Sequence, residues 1–153
     1  MINIDLKSLV VKLNEPCRNA LEGAAGLCLS RTHYNVEIEH WLLKLLEISN
    51  SDILSVLEKF DINIGNLVRH LNRELDHIKT GNSRAPALSP AIVDLAKNAW
   101  ILASVDYGHN KITSAHILAA LLLDEGLRRT TEATNGELKK IMPESLRDVV
   151  RGI

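Results

Sequence analysis

The sequence predicts an all-α domain built from two related helical repeats, with one additional helix at its N-terminal end. Three observations predict it. Apolar residues recur at i, i+3, i+4 and i+7 in one segment after another, and no segment sustains the period-two alternation of a strand. The 153 residues are 46% apolar and 24% charged, a globular composition, but include only one Phe, two Trp and two Tyr. The core must then be Leu, Ile, Val and Ala, which suits close helix packing better than a β-sandwich. Finally, the chain matches itself, half against half.

The elements follow in order. Asn3 or Asp5 caps a helix over about 4–13 whose inward positions are Leu6, Leu9, Val10 and Leu13. Asn14-Glu15-Pro16 breaks and restarts the helix, with Asn14 as cap and Pro16 in the first turn, where its missing N–H costs little. The next helix runs to about Leu29 on a stripe of Cys17, Leu21, Ala24 or Ala25, and Cys28. Gly23 and Gly26 cost it about 1 kcal/mol each against Ala, as expected where a neighbouring helix comes close. After a polar loop over Ser30–Asn35, a helix over about Glu37–Glu47 carries Ile38, Trp41, Leu42, Leu45 and Leu46. Ser51 or Asp52 caps the next, and one more runs from Ile64 to Ile78.

Thr80–Ala87 has the small, polar, Gly/Pro composition of a connection between halves. Ser89-Pro90 opens a helix carrying Ile92, Val93, Leu95, Ala96, Ala99, Trp100 and Ala103. Asp106–Lys111 reads as a loop, Thr113 as the cap of a helix over Ser114–Leu123, and three weaker helices follow near 127–134, 137–142 and 144–150.

The internal repeat is the most informative feature. Leu13, Asn14, Leu21, Ala24 and Cys28 align with Leu88, Ser89, Ala96, Ala99 and Ala103 at an offset of 75. Val36, His40, Leu42, Leu43, Leu45 and Leu46 align with Ile112, His116, Leu118, Ala119, Leu121 and Leu122 at 76, a change that one extra loop residue would produce. Neither copy could bury its apolar face well alone, so the expectation is two units packed with pseudo-twofold symmetry around one core. The layout is a single domain over 1–153: additional helix about 4–13, repeat one about 14–78, linker 79–88, repeat two about 89–150.

Several classes are excluded. A net charge of −1 gives no basic face for nucleic acid. No run reaches the roughly 18 apolar residues of a membrane span, and Met1–Asp5 lacks the basic and apolar regions of a signal peptide, so a cytoplasmic place is expected. Cys17 and Cys28, roughly 16 Å apart on one helix, are beyond disulfide reach and read as buried thiols.

Two copies of an Ala/Leu-rich helix followed by a loop and a helix of E-H-L-L-x-x-L-L type resemble the Clp N-terminal domain. The marks are Glu39-His40-Trp41-Leu42-Leu43-Lys44-Leu45-Leu46 and Ala115-His116-Ile117-Leu118-Ala119-Ala120-Leu121-Leu122. Trp41 and Lys44 replace commoner small or aliphatic residues, and the second copy is short after Leu123. The additional helix Asp5–Leu13 and the run Leu21-Glu22-Gly23-Ala24-Ala25 look like the ClpV branch of type VI secretion in particular. The resemblance covers about Leu6–Val150.

It implies a domain that docks substrates or adaptors onto a hexameric AAA+ ring. In the ClpV branch the implied partner is a helical peptide from the N-terminus of the larger type VI sheath subunit. The alternative is the N-domain of a general Clp disaggregase or protease-associated Clp chaperone. The full-length bacterial protein would be a hexameric ATPase and the isolated domain a monomer. ATP and Mg would bind AAA+ modules absent from this chain, which lacks a G-x-x-x-x-G-K-[ST] loop; it reads either as a piece cut ahead of those modules, as its end near Ile153 suggests, or as a stand-alone adaptor. In this chain no catalytic residue, metal or cofactor is expected.

The additional helix lies outside the repeat, and Ala85–Leu88 brings small apolar residues to the start of the matching second-half helix. A partner helix could pack there on i, i+3, i+4, i+7 anchors. The expected groove is Leu9, Val10, Leu13, Ala85, Ala87, Leu88 and Ile92, with Lys12 and Arg84 at its rim. The plainer alternative is that the first helix only covers the core. His40 and His116 occupy matching helix starts and read as structural histidines bonding a loop backbone rather than a metal or acid–base pair. His70 and His77 read as surface residues without zinc spacing. A Cys–His hydrolase has no support in the spacing, and a domain that only stabilises the ring would bind no peptide at all.

Overall fold

In the computed structural model, residues 5–153 are described; Asn3, the alternative first cap, and the rest of Met1–Ile4 lie outside them. Among the described residues the helices are α1 Leu6–Lys12, α2 Glu15–Ser30, α3 Ile38–Leu46, α4 Asp52–Lys59, α5 Ile64–Asp76, α6 Pro90–Ile101, α7 Ser114–Leu123, α8 Glu125–Thr134 and α9 Pro143–Arg151. The starts follow local chemistry. Asp5 accepts from Lys7 N at 3.2 Å, Asn14 from Cys17 N at 3.0 Å, Asn63 from Asn66 N at 2.9 Å and Ser89 from Ile92 N at 3.2 Å. Each satisfies an N–H that a helix start leaves without an intrahelical partner.

The repeat is visible in the packing: α2 lies on α3 as α6 lies on α7. The pseudo-twofold is sealed by two short parallel pairings. Strand β1, Asn35–Val36, pairs with β2, Ala87–Leu88, in the register Asn35–Ala87 and Val36–Leu88. The mate of that pairing is an isolated bridge between Leu13 and Ile112. Ser89 N donates to Val36 O at 3.0 Å, and Asn14 N donates to Ile112 O at 2.9 Å. Two-residue strands are too short to leave a period in the sequence, so the all-α expectation misses only these.

The interrepeat segment is tied down rather than loose. Asn82 N donates to Thr32 O at 2.9 Å, Asn82 Nδ2 donates to His33 O at 3.0 Å, and Gly81 N donates to Thr32 Oγ1 at 3.1 Å.

Two expectations need correcting. The offset changes from 75 to 76 inside a helix rather than in a loop: α6 continues into a π-helical turn, Leu102–Asp106, which absorbs the extra residue as one widened turn. Cys28 and Ala103 remain equivalent, since His33 N donates to Cys28 O at 2.9 Å and His109 N to Ala103 O at 2.7 Å. Secondly, Gly23 does face a neighbour, the flexible Lys44 stem of α3, but a Cβ on Gly26 would meet open space. No helix among the described residues is long and apolar enough to cross a membrane.

The centre of the core is α7, buried from Ser114 through Leu122. Trp41, wholly buried on α3, packs in the same cluster and donates Nε1–H to Cys17 O at 3.3 Å. Ser114 Oγ accepts from Ile53 N at 2.9 Å, so a side chain of repeat two caps the start of α4 in repeat one.

Candidate functional site

The expected groove lies along the seam between α1 and α6, which pack against each other. Leu9, Leu13 and Ile92 are 3%, 1% and 1% exposed. That corrects part of the expected lining: α1 itself covers these three side chains, leaving a gap of only about 10 Å³ between the two helices, so none of them is open to a partner while α1 stays seated. Val10 and Leu88 are half-buried along the seam, and Arg84, Ala85 and Ala87 are exposed beside it. Lys12 is half-buried, its ammonium 4.8 Å from the Trp100 ring centroid, a cation–π contact that orders it. Two further apolar residues edge the same seam, Leu6 at 39% exposure and half-buried Val93. What α1 and α6 offer a partner is therefore a shallow, apolar, two-helix surface flanked by Lys12 and Arg84, onto which a third helix could pack.

The histidines form two matched pairs. His40 Nδ1 accepts from Glu37 N at 2.8 Å, and His116 Nδ1 accepts from Thr113 N at 3.0 Å. This is the backbone bond that a Glu or Gln in the third helical position makes in a capping box, supplied here by imidazole. Because Nδ1 accepts, each Nε2 carries the proton. His40 Nε2 therefore donates to His33 Nδ1 at 2.9 Å, and His116 Nε2 to His109 Nδ1 at 3.2 Å. Burial holds His40 and His116 neutral, with pKa values pulled down to about 4, and the partner histidine of each pair adds to the pull. His33 and His109 were absent from the sequence expectation, although they too stand 76 residues apart.

Cys28, His33 and His40 bring three ligand atoms within 4.8 Å of one another, all buried. The hydrogen bonds argue against a metal centre. A metal on His40 Nε2 would move the imidazole proton to Nδ1, facing the Glu37 N–H donor and breaking the helix start. Catalysis by thiolate is opposed by the same burial. It raises Cys28, with Glu37 adding to the shift, and it pushes Cys17 up to about 12, so both side chains stay thiols. Of His70 and His77, His77 is the exposed one. His70 is half-buried and bonds Asn135 Oδ1 at 3.3 Å.

Sequence reasoning missed a larger concavity of about 270 Å³ between α3, α5, α8 and the start of α6. Its residues come from four separated segments, so no spacing in the sequence announces it.

The Clp repeat (R) N-terminal domain family matches residues 12–141. The AAA+ ATPase ClpV1 of Pseudomonas aeruginosa is 25% identical over 95% of this chain, and the chaperone protein ClpB of Yersinia enterocolitica is 29% identical over 94%. This chain spans 16% of the length of each of these relatives. The solved complex of a ClpV N-domain with a VipB peptide is 28% identical, covering 98% of this chain and 94% of that one, with a TM-score of 0.82.

Proposed function

Because the chain belongs to the Clp repeat N-terminal domain family, we propose that it is the substrate-recognition domain of a ClpV-like AAA+ unfoldase. It binds an N-terminal helix of the larger type VI sheath subunit, so that contracted sheath is disassembled and recycled by the ring. The observation that carries this reading is the likeness to a ClpV N-domain solved with a VipB peptide. It extends over 98% of the chain and so takes in α1, which lies almost wholly outside the family match at residues 12–141.

The domain works without chemistry of its own, in the bacterial cytoplasm and as a monomer when isolated. ATP, Mg and hexamer formation belong to the AAA+ modules of the full-length protein. We place the sheath helix on the outer surface of the α1–α6 seam. Leu6, Val10, Leu88 and Val93 would meet its apolar face, with Lys12 and Arg84 at the rim. Leu9, Leu13 and Ile92 act from beneath by holding α1 in place. A single short helix that orders on binding loses conformational entropy, so affinity per domain is modest and the ring compensates by multivalency.

The test is a titration of the ¹⁵N-labelled domain with a synthetic peptide from the N-terminus of the larger sheath subunit. The expected result is saturable binding with amide shifts centred on Leu6–Lys12 and Arg84–Val93. Val10→Asp or Leu88→Asp should weaken it at least about tenfold, since each puts an unpaired charge into a contact that excludes water. Saturation mapped elsewhere keeps the partner and discards the seam. The 29% identity to ClpB supports a second reading, a general Clp chaperone domain. Binding of unfolded polypeptide without any response to the sheath peptide would decide for it.

A further inference from the structure

The bridge that closes the second half of the pseudo-twofold brings two lysines together. Leu13 pairs with Ile112, and Ile112 N donates to Lys12 O at 2.7 Å. The residues just ahead of the bridge, Lys12 and Lys111, therefore stand where Ala87 and Asn35 stand in the matching pairing. Like charges on neighbouring strands repel, and the matching pairing carries no charge at all. Among the described residues no Asp or Glu lies within ion-pair distance of either ammonium.

The helix end accounts for only one of the two. Lys111 donates Nζ–H to Val11 O at 2.7 Å and so serves a carbonyl that the end of α1 leaves without an intrahelical partner. Lys12 is held differently, with its ammonium 4.8 Å from the Trp100 ring centroid on α6. An exposed ion pair gains little mainly because two long side chains must be fixed in one geometry. The ring fixes one of them in advance. Arg84 also lacks an ion pair, but among the described residues no aromatic ring lies under it. The seam thus carries, at the edge of its apolar surface, one cation set in place without a counter-charge. A carboxylate on the helix that packs there supplies the missing charge.

We propose that Lys12, with Lys111 reinforcing its field, is the specificity-determining residue of the seam, and that it selects a sheath helix carrying an Asp or Glu at the flank of its apolar stripe. This rests on the reading of the α1–α6 seam as the sheath-helix site. It adds the charge that the partner must carry, and it makes recognition sensitive to salt, which apolar packing alone is not.

The probes are the synthetic peptide from the N-terminus of the larger sheath subunit and a set in which each Asp or Glu is replaced in turn by Asn or Gln. They are titrated against the ¹⁵N-labelled chain and its K12M, K12R and R84Q variants. Each titration is run at low salt and at about 1 M salt, where screening acts within about 3 Å. Met keeps an apolar, flexible stem on Trp100, and an unchanged urea midpoint shows that α1 stays seated. K12M should weaken the parent peptide about three- to tenfold at low salt and little at high salt. K12R should restore binding, and R84Q should cost less than about twofold. One amide replacement in the peptide should cause the same loss in the natural chain and none in K12M. The peptide replacements leave the domain untouched, so they decide the matter alone should K12M loosen α1. Amide variants that all bind like the parent, a K12M loss that persists at high salt, or the same shifts produced by inorganic phosphate alone would each overturn the proposal and leave the seam standing. A parent peptide that does not bind at all overturns the seam and this selection together.

Discussion

Acidification should cost this domain stability through its histidine pairs, well above the pH at which its carboxylates protonate. His40 and His116 titrate at about 4 when folded and near their ordinary 6.5 when unfolded. Between those values the unfolded chain binds more protons than the folded one, so stability falls as pH falls. The contribution is whole above pH 6.5, is lost progressively down to about 4, and changes no further below that. Between pH 7.5 and pH 5 each of the two costs about 2 kcal/mol, together about 4 kcal/mol. That is a large share of the roughly 5–15 kcal/mol available to a domain. One group opposes the trend: Glu39, raised when folded, is relieved as pH falls, so E39Q is the cleaner background. The assay is urea unfolding at the two pH values, read as the midpoint at constant slope. His40→Gln retains both roles of the ring, since the Gln carbonyl can accept from Glu37 N and its amide can donate to His33, but it cannot titrate. H40Q should remove roughly half of what these two rings contribute, and H40Q with H116Q all of it, leaving the share of His33, which burial also lowers. A wild-type stability unchanged between pH 7.5 and 5 in the E39Q background, or imidazole signals of His40 and His116 titrating near 6.5, would refute the reasoning.

Other perturbations test the fold that carries the site. Ser114→Ala leaves Ile53 N buried without its acceptor and should cost about 1–3 kcal/mol in urea unfolding, since it removes the one cap that crosses between repeats at α4. Trp41→Ala empties a fully buried site at the centre of the core and should cost about 3–5 kcal/mol, measurable as a lowered Tm. Glu137, which accepts from Asn63 N at 2.9 Å and from Lys140 Nζ at 2.9 Å, is held below the usual carboxylate range, first by the Lys140 bond. Its contribution is present above pH 4.5 and lost as pH falls through the folded value, so E137Q should flatten the acid limb of the stability curve below the range where the histidines act. Deleting Val105, 75% exposed in the π turn, should restore an α-helical end to α6 like that of α2 and keep His109 on His116, since His33 and His40 make the same pair with one residue fewer; an unchanged His116 ring signal in NMR checks it.

The parts of the molecule legible in the sequence are those where one residue type at one spacing has a single physical meaning. Asn14 before Pro16 and Ser89 before Pro90 can only start helices, and both do. The unbroken apolar run Ile117–Leu122 belongs to a helix buried on all sides, and α7 is that helix. The paired His40 and His116 are legible as structural for the same reason: a metal site would not need duplicating with the repeat, whereas a helix start would. Legibility fails where two structures share one sequence signature. A one-residue change of offset is the same string whether it falls in a loop or in a π turn, and only the retained equivalence of Cys28 with Ala103 separates them. An amphipathic α1 has one stripe whether that stripe faces a partner or the core. Packing decides, and it buries Leu9 and Leu13 while leaving Leu6 and Val10 at the edge. The cleft at Glu39, Glu74 and Asn135 has no signature, because its charges lie on helices brought together only by the tertiary fold. The seam follows from the additional helix, a feature of the sequence pattern, whereas the acidic cleft follows from how the two repeats close on each other.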